Sequence, residues 1–111
     1  MLVYVSHFWG ALLSTIIIEA LVIAALCYFF KKDFRIVVVS VLGNICTVPY
    51  VWFVFPTLFW YSSGLILISG ESFAFLFEAI LYKYLGKLSW KMALLFSLLA
   101  NAASYLLWRF L

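Results

Sequence analysis

The feature that most constrains this chain is the length of its apolar runs. Residues 8 to 30, 36 to 55, 65 to 82 and 92 to 111 are each dominated by Leu, Ile, Val, Ala and Phe. A helix of about 20 such residues is what it takes to cross a hydrocarbon layer of about 30 Å. Four runs of that length in 111 residues leave room only for short connections. With 69% hydrophobic and 10% charged residues and a mean hydropathy of +1.24, the chain lacks the polar surface to cover a water-soluble core. The expectation is an all-α membrane protein, a four-transmembrane-helix bundle forming one domain over residues 1 to 111, with the lipid bilayer as its first partner.

Charge placement sets the orientation. Lys31, Lys32 and Arg35 follow the first run, and Lys83, Lys87 and Lys91 follow the third; the connection at residues 56 to 64 carries no Lys or Arg. Basic residues concentrate in cytoplasmic loops, so both termini are expected outside a cell (inner) membrane. This reading also accounts for the net charge of +3, and nucleic acid is not expected as a partner. Residues 1 to 8 hold no Lys or Arg, and no small-residue cleavage pattern closes the first run, which is therefore read as a retained span.

Inside the second and fourth runs a short pattern recurs. Ser40-Val41-Leu42-Gly43-Asn44-Ile45-Cys46-Thr47 and Ser97-Leu98-Leu99-Ala100-Asn101-Ala102-Ala103-Ser104 both read Ser-x-Leu-small-Asn-x-x-hydroxyl, and they contain the only two asparagines. Helical spacing puts Ser40, Asn44 and Thr47 on one stripe, and Ser97, Asn101 and Ser104 on another. The echo is either a tandem duplication of a two-helix hairpin or a chance recurrence of residues common in membrane helices. Duplication would pair Glu19-Ala20 with Glu78-Ala79, at a spacing that needs a short gap in a loop, and would leave Glu71 without a counterpart.

The acids are the most costly residues in these runs. Glu19 lies about 18 Å along a helix from Lys31, near mid-bilayer. Glu71, Phe75, Glu78 and Tyr82 share one helical face, which should turn inward. Small-residue pairs, Gly10/Ser14, Ala20/Ala24, Gly43/Thr47, Gly70/Ala74 and Ala100/Ser104, would let the polar stripes meet in a tight bundle. Pro49 withholds a backbone donor from the carbonyl of Ile45 and is expected to kink the second span. His7 is read as an interfacial residue, and Cys27 and Cys46 as small buried apolar groups without disulfide or zinc spacing.

Carboxyls in lipid belong to proton relays and cation sites, or else serve as interhelical hydrogen-bonding groups. Asn44 and Asn101 can offer a carbonyl oxygen or an amide donor beside Glu19, Glu71 and Glu78, and Ser104 a hydroxyl. No GxSxG, HExxH, phosphate-loop or Glu-x-x-His spacing is present, so no enzyme activity and no cofactor are expected, and a metal is left undetermined. The chain is expected to be an oligomeric transporter or channel for protons, a cation or a basic substrate, associating with copies of itself. The other reading is a non-catalytic subunit that docks onto other membrane subunits.

Overall fold

The structure, a computed structural model, describes residues 2–110, with side chains described for residues 3–107. Every element is helical: α1 (Leu2–Phe30), α2 (Ile36–Pro49), a π-helical turn (Tyr50–Val54), α3 (Phe55–Leu58), α4 (Ser63–Tyr84) and α5 (Trp90–Phe110). Among the described residues, four helices are long and apolar enough to cross a membrane: Val3–Phe30, Ile36–Leu58, Ser63–Tyr84 and Trp90–Leu107. The molecule measures 43 × 23 × 22 Å, its long axis matching a bilayer of about 40 to 45 Å with its headgroup regions.

The spans start and stop where local chemistry allows. The first helix begins near Leu2 rather than Phe8, because nothing between Val3 and His7 breaks a helix. α1 ends at Lys31, whose φ of 57° is left-handed. The Lys32 N–H then bonds the Cys27 carbonyl at 2.8 Å and the Lys31 N–H that of Tyr28 at 3.4 Å, which returns the last carbonyls their donors. The turn into α2 is held by the Asp33 carboxylate, which accepts from the Arg35 N–H at 2.9 Å. α4 starts at Ser63, two residues before the expected boundary, since the Ser62 hydroxyl caps it by accepting from the Leu65 N–H at 3.2 Å. Ser89 does the same for α5, accepting from the Met92 N–H at 3.3 Å. Trp108 and Arg109, expected at the end of the fourth span, lie outside the described side chains.

Pro49 does not produce a simple kink. The helix runs through it into the π turn, where the Phe55 N–H reaches the Tyr50 carbonyl, and continues as α3 to Leu58. A proline disturbs the bonding register, and one wide turn absorbs the mismatch. Pro56 in turn offers no N–H to the Trp52 carbonyl four residues back, and the Tyr4 hydroxyl of α1 donates to that carbonyl instead. The second span is thereby tied to the first at the end of the bundle that carries the N-terminus.

α1 packs on α2, α2 on α4, α4 on α5, and α5 back on α1. The ring follows chain order, so α1 stands opposite α4 and α2 opposite α5. Apolar residues such as Leu13, Ile17 and Leu21 face outward from α1, while Glu19, Ile23 and Cys27 face the axis. The bundle interior is layered along that axis. Ile23, Ile36, Tyr82, Leu88 and Phe96 fill the end near the basic loops. Phe8, Leu12 and Val48, with Trp52 against them, fill the opposite end. Between these two apolar plugs lies a layer of acids, amides and hydroxyls.

The small-residue pairs divide. Gly43, Thr47, Gly70, Ala74, Ala100 and Ser104 are buried between helices, whereas Gly10 has open space beside it and makes no close packing. Cys27 is buried as expected, but Cys46 is exposed on the outer face of α2, one position round the helix from the stripe that faces inward.

Candidate functional site

Each of the four long helices contributes to the central polar layer, and the 3.6-residue period explains which side chains arrive there. Ser40, Asn44 and Thr47 recur at one-turn intervals along the inner stripe of α2 and are at most 1% exposed. Ser97, Asn101 and Ser104 form the matching stripe of α5, also buried. α1 supplies Glu19 and α4 supplies Glu78, each 1% exposed. The six site residues read from the sequence therefore meet in one region, with a difference of depth between them. Glu71, one of the two acids expected inward on α4, is only half-buried: it stands two turns nearer the start of that helix, where it borders the seam with α5.

The hydrogen bonds run along α5 and stop at the acids. The Ser97 hydroxyl donates to the Phe75 carbonyl at 2.7 Å, fastening α5 to α4. The Asn101 amide donates to the Ser97 carbonyl at 2.8 Å. The Ser104 hydroxyl donates to Glu19 Oε2 at 2.9 Å and also lies 3.1 Å from the Asn101 carbonyl, a three-centre arrangement. Glu19 and Glu78 are neighbours across the bundle axis, with Asn44 near Glu19 and Asn101 near Glu78. Glu19 Oε1, both Glu78 oxygens and both polar atoms of the Asn44 side chain have no donor or acceptor in hydrogen-bonding geometry among the described residues. The amides are thus neighbours of the acids rather than formed partners.

Such a pair has a definite chemical requirement. Two ionised carboxylates in apolar surroundings repel and are poorly solvated, so a positive charge between them, either a proton or a cation, is what makes the arrangement stable. Gly43 makes the approach possible: a Cβ there would come within 3.0 Å of Glu78 Cγ and 3.4 Å of Glu78 Oε1.

Glu19 opens onto a cavity of about 100 Å³ whose polar wall also includes Asn44, Thr47, Glu71, Asn101 and Ser104. Val51 and Trp52 of the π turn and Tyr105 of α5 also line it, so the irregular turn that follows Pro49 shapes the cavity wall. Glu78 stands behind Glu19 and does not line it. On the far side of the pair, Tyr82 is 1% exposed, and its hydroxyl and that of buried Ser40 have no hydrogen-bond partner among the described residues. The cavity lies between the acids and the Phe8, Leu12 and Val48 cluster, and Ile23, Tyr82 and Phe96 pack on the other side of the acids.

Sequence reading placed Tyr82 on the acid face without making it part of the site, and it passed over Thr15, Thr47 and Tyr105 as cavity residues. Thr15 stands one turn before Glu19, and Thr47 was already in the polar stripe; both carried a detectable signal. Tyr105 did not, since an aromatic near a helix end reads as an interfacial residue. His7 is exposed and far along α1 from the acids, and no group of three or more His, Cys, Asp or Glu side chains forms a metal-binding cluster among the described residues. Comparison with known proteins returns no matching family model, no similar curated protein and no similar solved structure.

Proposed function

We propose that this protein is a small membrane transporter that binds a proton, or a cation exchanged for it, between Glu19 and Glu78. One observation carries the reading: two fully buried carboxyls from opposite helices face each other, three of their four oxygens without a hydrogen bond among the described residues, and Glu19 lines a polar cavity. Groups used only to hold helices together would be expected to pair their polar atoms, because each unpaired one in hydrocarbon is costly. Ser104 orients the Glu19 side of the pair, and the lining amide and hydroxyl oxygens offer a partly desolvated cation further ligands.

The bundle is read here as a duplicated hairpin. Glu19 and Glu78 come from opposite helices, as do Asn44 and Asn101. Each asparagine also lies beside the glutamate of the helix preceding it in the ring. A pseudo-two-fold axis along the bundle would relate the halves and pass between the two carboxyls.

A hydrophobic carbodiimide, which attacks protonated carboxyls in lipid, tests the site. Mass analysis should find Glu19 or Glu78 modified, and proton flux into liposomes under an imposed potential should fall to the protein-free level in Glu19→Gln and Glu78→Gln. The reading fails if neither acid is modified and both variants, singly and together, retain full flux. A chain that purifies alone and carries the flux is also separated by this test from an accessory subunit, which would carry none without its partners.

A further inference from the structure

Between α4 and α5, on the outer surface of the bundle, runs a groove of about 240 Å³ lined by Glu71, Phe75, Leu98, Asn101, Ala102 and Tyr105. Three of these residues, Glu71, Asn101 and Tyr105, also line the central cavity. The two spaces therefore meet at one seam, and the seam carries a carboxyl. Leu98 is 54% exposed and Ala102 is exposed, so the groove opens sideways, away from the bundle axis. Glu71 stands eight residues into α4, roughly 12 Å along the axis from Ser63, which is within hydrocarbon depth for a helix of this length. An acid at that depth facing a lateral opening is costly unless something of opposite charge reaches it.

From this juxtaposition we propose that the substrate is a lipophilic organic cation, an amine with an apolar arm, which enters from the bilayer through the α4/α5 groove with Glu71 as its first contact. The proposal rests on the Glu19/Glu78 reading and adds the substrate class and the route. The shape argues for one end of each kind. An ammonium group at the seam can donate to the Glu71 carboxylate and to the Asn101 side-chain oxygen, while the apolar arm lies against Phe75 and Leu98 and need not leave lipid. From the seam, the cavity leads the charged end to Glu19.

The probes are n-octylammonium and methylammonium, which share a charge and differ in the arm. In the wild-type chain in liposomes, octylammonium should protect Glu19 and Glu78 from carbodiimide at a concentration roughly tenfold or more below methylammonium. Partitioning into lipid also favours the longer amine, so the decisive comparison is between variants in the same liposomes. Ala102→Trp and Leu98→Trp place a bulky ring in the groove at exposed positions, where the fold need not adjust. Each should cut the octylammonium advantage by about fivefold or more while leaving methylammonium protection within about twofold. Glu71→Gln should also weaken octylammonium, with the carbodiimide still reaching Glu19. The lateral route is wrong if the octylammonium advantage is the same in both tryptophan variants and in Glu71→Gln, or if methylammonium protects and octylammonium does not. In either of those outcomes the carboxyl pair keeps its cation and the proposed function stands. Absence of labelling in the unprotected wild type removes both.

Discussion

At the scale of single residues, the polar layer depends on a few close contacts. The Ser104 hydroxyl is the one formed donor to Glu19 among the described residues. Ser104→Ala should lower stability by about 1 to 3 kcal/mol, the range for a hydrogen bond to an acidic group, measured by unfolding in mixed micelles. Ser104→Thr, which keeps the hydroxyl, should recover most of that loss. Gly43 acts through space rather than through a bond. Gly43→Ala brings a methyl group to 3.0 Å from Glu78 Cγ and should displace that carboxyl, slowing carbodiimide modification of Glu78 and costing about 1 to 3 kcal/mol by overpacking. Gly43→Leu and Ala100→Leu, at two buried interhelical positions, should be more damaging. Unchanged unfolding in both leucine variants would mean that the helices can separate there without loss.

At the scale of elements, the informative one is the second span. The sequence predicts that Pro49 disturbs the helix, and the structure resolves the disturbance as a π turn that places Val51 and Trp52 in the cavity wall. The turn is held from outside by the Tyr4 hydroxyl on the Trp52 carbonyl and by Gly70, where a Cβ would come within 3.2 Å of Val51 Cγ1. Tyr4→Phe should therefore cost about 1 kcal/mol, the net worth of one hydrogen bond, in the same unfolding assay. A phenylalanine variant as stable as the wild type would show that water or lipid headgroups replace the tyrosine. The aromatic contacts of Tyr4 with Trp52 and Phe53 persist in that variant, so the comparison isolates the hydroxyl.

At the scale of the whole molecule, the two basic loops lie at the same end of the bundle. Lys31, Lys32, Arg35 and Lys87 surround one surface cavity there, with Asp33 among them. If that end is cytoplasmic, a reporter active only in the cytoplasm should be silent when fused after Leu111 and active when inserted beside Asp33 or Gly86. Activity at both termini would overturn the orientation. One lysine in each turn, Lys31 with φ of 57° and Lys87 with φ of 56°, is left-handed, which shows how tightly these loops fold back. At the second turn, a Cβ on Gly86 would meet the Tyr82 carbonyl at 2.6 Å, so a larger residue there would push the α4 to α5 connection apart.

Helix number, approximate span boundaries and the inward stripes were legible in the sequence, because each follows from local periodicity and the cost of polar groups in lipid. The Ser40-Asn44-Thr47 and Ser97-Asn101-Ser104 stripes needed only a helical period to be drawn. The depth of Glu19 needed only a rise per residue. What the sequence left open was which stripes touch. That Glu78 rather than Glu71 meets Glu19 depends on the rotation and crossing of α4 against its neighbours. Both acids lie on one face, and two turns of helix separate a central position from a seam. The π turn escaped sequence reading because a proline names a disturbed register without naming the turn that absorbs it. The lateral groove escaped because it is a gap between two helices, belonging to neither sequence alone. Local periodicity chose which side of each helix turns inward; only packing of the four helices decided how deep each acid lies and which of them meet.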